Sequence, residues 1–185
     1  MTKISAERQN AAMTKTEDQD ICQCFSCKAL VPDITGEVHK YMDSSPGCWY
    51  LFGKILEKEF SNPRYKISSR LTTDAYALQH YGKASVPQAV KSVNHHLISL
   101  TFYFDYKMTV QQSDRAFKLL APLKEKFEWL EPPENVGSIT VAEVMKAKNS
   151  QEHLKVVEEW AYESWIAWKH HHLSIRNFIE THYSF

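Results

Sequence analysis

Residues 44–49, Ser-Ser-Pro-Gly-Cys-Trp, join a cysteine-rich N-terminal region to the first predicted helix. Ser45 belongs to a residue type that caps helices, and Pro46 fits the first helical position. Cys48 then falls in the first turn, where the helix dipole favours a thiolate. The segment therefore predicts a metal-ligating side chain at the start of a helix.

Three cysteines and one histidine form the predicted ligand set of a single zinc ion. Cys24 and Cys27 make a C-x-x-C pair, whose spacing lets two thiolates face one ion from a tight turn. His39 and Cys48 follow after eleven and eight intervening residues. Zinc favours sulfur and imidazole ligands, and four protein ligands would close its coordination sphere. The sequence therefore predicts a structural zinc site within residues 21–48.

The assignment of the cysteines leaves alternatives open. Cys22 offers another sulfur beside the C-x-x-C pair and is a rival ligand. A further alternative is that the cysteines bind no metal and are buried small hydrophobic residues or free thiols. A redox pair is disfavoured because no βαβ pattern surrounds the motif. The sequence shows no signal-peptide pattern and no apolar run of transmembrane length, so we expect a cytoplasmic protein without disulfides and without membrane contact.

Composition favours one folded domain. The chain has 185 residues, of which 43% are hydrophobic and 12% aromatic, enough apolar surface to offset chain entropy. Lysine plus arginine equals aspartate plus glutamate at 22 each, whereas duplex-binding surfaces usually carry excess basic charge, so nucleic acid is disfavoured as a partner. Residues 1–20 are polar and lack periodicity, which predicts a flexible tail. Residues 21–185 then form a single helical domain.

Apolar residues recur at spacings of three and four along most of the remaining chain, which is typical of amphipathic helices. The clearest stripe consists of Val86, Val90, Val93, Leu97, Leu100 and Phe104. Capping patterns predict further helices beginning near Ser45, Ser69, Thr109, Thr140 and Asn149. The seam of the last helix ends at Trp168, and His172, Ile175 and Ile179 extend it if the helix continues. The predicted fold is all-α, a helical bundle with a small N-terminal zinc-knuckle-like segment.

A second, open site is predicted from helical positions. Its candidate residues are Asp74, His80, His96, His171 and His172. His96 and His172 face the interior, and helical bundles hold catalytic metals with carboxylates and imidazoles from several helices. Asp74 and His80 lie six residues apart and do not share a helix face, which weakens that pairing. The alternative is that each histidine is simply hydrogen-bonded in the interior or at the surface.

Several motifs together resemble an uncharacterised bacterial family that is classed only as a domain of unknown function. They include the C-x-x-C pair, residues 44–49, a segment from Leu71 through Asp74 to Gln79-His80, and Trp165-x-x-Trp168 with His171-His172. The resemblance covers residues 22 to 178. It implies no known activity, substrate or partner. In the family pattern glycine usually follows the second cysteine of the pair, where this chain has Lys28.

These features predict a zinc-stabilised helical binding or regulatory protein. Its partner is an unknown protein or a small molecule, and homo-oligomerisation stays open. The alternative is a metal-dependent hydrolase-type enzyme with an Asp/His site between helices. With only five glycines and no phosphate-binding motif, a phosphate-cradling loop is disfavoured.

Overall fold

A computed structural model describes residues 20–183. Within this range the chain forms one two-stranded antiparallel hairpin followed by a helical bundle, which confirms the predicted fold class. The elements are β1 (Ile21–Gln23), β2 (Leu30–Pro32), α1 (Pro46–Ser61), α2 (Pro63–Lys66), α3 (Ser69–Gln79), α4 (Pro87–Phe104), α5 (Val110–Leu120), α6 (Val141–Met145), α7 (Ser150–Ala167) and α8 (His172–His182). Except for Asp20, the predicted flexible tail of residues 1–20 lies outside the described residues.

The cysteine-rich segment contains a hairpin where the sequence predicted only loops and turns. Its strands have three residues each, too few for the two-residue alternation that reveals a strand. In the turn between them, the Cys24 amide donates to the Ala29 carbonyl at 2.8 Å and the Lys28 amide donates to the Cys24 carbonyl at 3.0 Å. Lys28 has a φ of 66°, a left-handed conformation that glycine adopts at lower cost. Glycine, the residue that the resemblance leads us to expect at this position, would adopt this conformation without strain.

The start of α1 packs directly against the hairpin. Ser45 caps the helix as predicted, its hydroxyl accepting a hydrogen bond from the Cys48 amide at 3.4 Å. A Cβ atom on Gly47 would lie 2.0 Å from the Pro32 carbonyl oxygen, so only glycine permits this approach. The Ser-Pro-Gly-Cys sequence thereby brings the first turn of α1, with Cys48, against the cysteine turn.

Helix α3 lies at the centre of the bundle and packs against α1, α4 and α7. A buried hydrogen-bond network joins three of these helices at the carboxylate of Glu59, which is fully buried on α1. Its Oε1 accepts from the Ser68 hydroxyl at 2.8 Å, from the Thr72 hydroxyl at 2.6 Å and from the His153 Nε2 at 2.8 Å. These bonds compensate the desolvation of Glu59 and fix α3 relative to α1 and α7.

The predicted caps of the later helices are present. Thr140 forms a capping box at the start of α6, and Asn149 accepts two backbone hydrogen bonds at the start of α7. The last predicted helix, whose continuation past Trp168 the sequence left open, ends at Ala167 and is followed by a 3-10 turn at Lys169–His171. At the break, the Trp168 indole donates to a carbonyl of α3 at 3.2 Å, a tertiary contact that the apolar seam does not reveal.

Large aromatic side chains fill the core between these helices. Trp160, Trp168, Tyr76 and Phe102 are fully buried. Aromatic rings of this size supply much of the apolar area that stabilises a bundle. No helix within residues 20–183 combines the length and the apolar character needed to cross a membrane.

Candidate metal centre and adjoining cavity

Four buried side chains form a group that could hold one metal ion: Cys24, Cys27, Cys48 and His80. Their ligating atoms all lie within 4.8 Å of one another. The Cys27 and Cys48 sulfurs are 3.7 Å apart, and the His80 Nε2 lies 3.4 Å from the Cys48 sulfur and 3.7 Å from the Cys24 sulfur. From ordinary zinc–ligand bond lengths, the edges of a tetrahedral site measure about 3.7 Å between sulfurs and about 3.5 Å from sulfur to nitrogen. The group therefore has dimensions suited to a single tetrahedral ion.

The fourth member of this group is His80, in place of the predicted His39. His80 follows the last residue of α3, and its Nδ1 lies 2.7 Å from the Tyr76 carbonyl oxygen, which can only accept. This bond assigns the proton to Nδ1 and leaves the Nε2 lone pair facing the sulfurs, the usual arrangement of a metal-binding histidine. The Tyr76 ring also stacks on the imidazole, with 4.0 Å between centroids. The side chain is thus held in a ligating orientation by α3 itself.

His39 and Cys22 lie outside the group. The His39 ring packs against the rings of Tyr41 and Trp49, with centroid distances of 4.2 and 5.1 Å. Cys22 is half-buried on β1, and its sulfur lies 3.9 Å from the Pro32 carbonyl. Sequence spacing favoured His39 because it stands between the cysteines. The one sequence signal for His80 was its place in the family pattern.

The thiols perturb one another strongly. The pKa of Cys24 is lowered, chiefly because its thiolate accepts hydrogen bonds from the Cys27 and Cys48 thiols. The pKa of Cys27 is raised to about 12 and that of Cys48 is also raised, in both cases first by the hydrogen bond to Cys24. Without a cation the cluster therefore favours one thiolate and opposes three. A bound divalent ion would offset the repulsion among three thiolates.

Asp74 and His96, both predicted members of the second site, are in contact. Asp74 is fully buried on α3, and His96 on α4 points its Nδ1 at the Asp74 Oδ1, 2.6 Å away. The other carboxylate oxygen accepts from the Ser99 hydroxyl at 2.5 Å and from the Arg70 Nε at 3.3 Å. These bonds fix the carboxylate, and through it the orientation of the His96 ring. An Asp–His pair of this kind is a common arrangement for acid–base chemistry.

The remaining candidates of the second site lie elsewhere. His80 belongs to the metal-binding group, while the Nε2 atoms of His171 and His172 each lie 2.9 Å from a main-chain carbonyl oxygen and donate to it. Within the described part of the chain, Asp74 and His96 are not members of any group of three metal-ligating side chains. The five predicted residues therefore form no common site, and Arg70 supplies the positive charge beside Asp74.

A cavity of about 610 Å³ opens beside His96, between α4, α5 and the 3-10 turn that follows α5. Tyr41, from the loop between the hairpin and α1, contributes to its wall. His95 also lines it, and burial lowers the pKa of His95 to about 4, so this ring is neutral at pH 7. Its Nε2 accepts from an Arg70 Nη at 3.3 Å, and its face stacks on Phe117. The sequence did not predict this cavity, because its walls come from three separate segments.

Comparison with known proteins gives one informative result. No curated protein and no solved structure shows significant similarity to the chain. A family model, described as a family of unknown function (DUF5946), matches residues 22–169. This range includes the whole metal-binding group together with Asp74 and His96. The chain therefore belongs to the family of unknown function DUF5946.

Proposed function

We propose that the protein is a zinc-stabilised helical protein that binds a small molecule in the cavity beside His96. The observation that carries this proposal is the separation of two sites with opposite character. The metal-binding group consists of four protein ligands, all buried, whereas the cavity beside His96 is open. A closed set of four ligands serves structure, and an open cavity with a fixed polar group serves binding.

The proposed metal is zinc, with a structural role. Three thiolates and one imidazole at tetrahedral spacing form a donor set that zinc favours, and four protein ligands leave no position for a substrate. The ligands come from the cysteine turn, the start of α1 and the end of α3. The ion would therefore tie the hairpin to two helices of the bundle.

The proposed binding site is the cavity rather than the metal. Its volume lies within the range of about 300–1,000 Å³ typical of small-molecule sites. His96 lines it, and with Nδ1 committed to Asp74, its Nε2 has no hydrogen-bond partner among residues 20–183. A ligand atom can therefore bond to Nε2 without displacing any contact of the folded protein.

The zinc part of the proposal is tested by elemental analysis of untagged protein purified without added metal. We expect one zinc per chain in the wild type and in His39→Ala, and loss of zinc in His80→Ala. The His39 variant is a matched control, since its ring lies outside the group. Zinc retained by His80→Ala and lost from His39→Ala would overturn the assignment of the fourth ligand.

The binding part is tested by nuclear magnetic resonance of the imidazole nitrogens, with a set of acidic, basic and neutral aromatic fragments. We expect at least one fragment to shift the His96 Nε2 resonance while His170, which lies outside the cavity, stays unchanged. A His96→Gln variant assigns the signal. If no fragment shifts His96 at millimolar concentration, the cavity is not a binding site.

Acid–base catalysis by His96 is a second candidate function, favoured by the 2.6 Å contact with Asp74. A carboxylate that accepts from Nδ1 orients the ring, so that Nε2 is placed to take a proton from a bound substrate. A panel of aryl esters and aryl phosphates tests it, with turnover expected in Cys22→Ser and lost in His96→Gln. Equal turnover in both variants would contradict a catalytic role for His96.

A further inference from the structure

The residues that line the cavity are positively charged as a set. They include three lysines and two histidines, and no aspartate or glutamate. The chain as a whole carries equal numbers of basic and acidic residues, 22 of each. The cavity is therefore a local concentration of basic groups in a protein of zero net charge, and such a surface attracts anions.

Two of the three lysines form no ion pair with any described residue. The Lys91 Nζ lies 2.6 Å from a carboxylate oxygen of Glu125, so its charge is balanced at the rim. Lys118 and Lys124 are exposed and have no ion-pair partner among residues 20–183. Lys124 lies near enough to Glu125 to help Lys91 lower the pKa of that carboxyl, but neither Lys118 nor Lys124 is held in an ion pair, so both ammonium groups can contact an added anion.

The buried carboxylate behind His96 does not cancel this charge. Asp74 is balanced by Arg70, whose guanidinium contacts the carboxylate at 3.3 Å and also reaches Asp114 at 3.4 Å. His95 is neutral, and its Nε2 lone pair is occupied by Arg70. Among the lysines and histidines of the lining, the groups without an ion-pair or hydrogen-bond partner in the described residues are therefore the two lysines and the His96 Nε2.

The rest of the lining is mostly apolar and aromatic, with Tyr41, Gln88 and Ser92 as its uncharged polar members. Ile98 and Leu120 are almost fully buried, with 1% and 2% of their surface exposed, and Phe117 and Phe127 contribute partly exposed rings. An inorganic ion would leave this apolar surface in contact with water. A ligand with an apolar or aromatic body would cover it and gain the corresponding burial free energy.

We propose that the cavity binds an organic anion, with its apolar body against Phe117 and Phe127 and its carboxylate or phosphate group at Lys118 and Lys124. This inference rests on the proposed function, in that it names the ligand class of the same cavity. The anionic group distinguishes it from an aromatic amine or a neutral aromatic compound. The apolar body distinguishes it from inorganic phosphate.

The test compares four probes by calorimetric titration and by the His96 Nε2 resonance. They are 2-naphthoate, 2-naphthyl phosphate, uncharged 2-naphthylmethanol and inorganic phosphate. We expect one or both naphthyl anions to bind at least about tenfold more tightly than the alcohol, from ion pairs with two partly exposed lysines. The double variant Lys118→Gln/Lys124→Gln should remove that advantage and leave the alcohol unaffected. Lys155→Gln/Lys169→Gln, two exposed lysines outside the cavity, is the matched control.

Each outcome decides between distinct conclusions. Equal binding of anion and alcohol would overturn the charge recognition proposed here while leaving the cavity as a binding site. No response of His96 to any probe would overturn the binding function as well. Equal binding of inorganic phosphate and the naphthyl anions would show that the apolar body plays no part. The ratio of naphthoate to naphthyl phosphate affinity distinguishes a carboxylate ligand from a phosphate ligand.

Discussion

The metal-binding group and the cavity beside His96 both depend on α3, yet they differ in almost every physical respect. His80 follows the last residue of α3 and faces three sulfurs in a fully buried group. Asp74, six residues earlier, is also buried, but the His96 that it orients lines an open cavity. Within residues 20–183, one site consists of four buried side chains, and the other has a histidine nitrogen and two lysines without a hydrogen-bond or ion-pair partner.

This difference shows how one helix can serve stability at one point and binding at another. A closed set of soft ligands gains free energy only if an ion joins hairpin, α1 and α3 together. The Asp74 network gains its free energy from protein hydrogen bonds alone, so it does not need a ligand to persist. Variants that affect one region and spare the other test this division.

The largest effect is expected from Cys48→Ser. The change removes one ligand and leaves the remaining thiols without their ion, so the hairpin is no longer tied to α1. We expect loss of zinc and a fall in unfolding free energy of at least about 4 kcal/mol, or about 10 °C in melting temperature for a domain of this size. Calorimetry and elemental analysis on the same samples measure both.

Cys22→Ser is the control for this prediction. Cys22 stands two positions before Cys24 in the sequence, but its sulfur is not a member of the metal-binding group. We therefore expect Cys22→Ser to keep its full zinc content and a melting temperature within about 2 °C of the wild type. If Cys22→Ser also lost zinc, the ligand set drawn from the structure would be wrong.

The second effect comes from Asp74→Asn. The amide keeps the size of the side chain but removes the negative charge beside Arg70 and one acceptor for His96 or Ser99. We expect the unfolding free energy to fall by about 2 kcal/mol, since a buried charged acceptor is lost and the partly exposed Arg70 keeps only Asp114, while zinc content stays at one per chain. Denaturant titration measures the loss. A variant that also loses zinc would show that the two regions are not independent.

A smaller effect involves pH and His95. In the unfolded chain its ring has the ordinary pKa of 6.5, and in the folded protein the pKa is lowered to about 4, mainly by burial. The unfolded state therefore binds the proton first, and the stability that depends on a neutral ring is complete above pH 6.5 and declines as pH falls toward 4. We expect this pH-dependent contribution to the unfolding free energy, about 1.5 kcal/mol, to be absent in His95→Gln.

Denaturant titrations of zinc-saturated wild type and His95→Gln at pH 7, 6 and 5 measure this difference. Acid also weakens zinc binding, but equally in the two proteins, so the difference between their curves isolates His95. Parallel curves over this range would argue against a buried, neutral His95.

The smallest effect is expected from Lys28→Gly. Lys28 has a φ of 66°, which costs less for glycine than for lysine, so the variant should be more stable by about 0.5–1 kcal/mol and should bind zinc more tightly. Lys107, with a φ of 53°, provides the matched control outside the metal-binding group. Lys107→Gly should gain stability without a change in zinc affinity, as measured by competition with a chelator. If Lys107→Gly gained as much zinc affinity as Lys28→Gly, the gain could not be assigned to the turn at Lys28.

Much of the fold was predictable from local patterns. The cap at Ser45, the capping box at Thr140 and the apolar stripe of α4 each depend on residues a few positions apart, and each is present. The break between α7 and α8 was not predictable, because Trp168 bonds to a carbonyl on α3. The hairpin was missed since its strands are too short to show alternation.

For the candidate sites, the division between what the sequence predicts and what only the tertiary structure decides is sharper. The sequence by itself determined that Cys24, Cys27 and Cys48 come together, because a C-x-x-C turn and a capped helix start both act over a few residues. Only the tertiary structure decided that His80, 32 residues beyond Cys48, completes the group in place of His39. The packing of α3 against α1 sets that distance, and no spacing along the chain encodes it.

The same reason governs the cavity. Helical periodicity placed Asp74 and His96 toward the interior, but it also placed His172 there, and the contact between helices chose only the first two. Lys118 of α5 and Lys124 of the turn after it line the cavity because those segments pack beside α4. Local sequence thus determined which chemical groups each helix presents, and the packing of helices distant in sequence decided which of them meet, because that packing depends on side chains from every element at once.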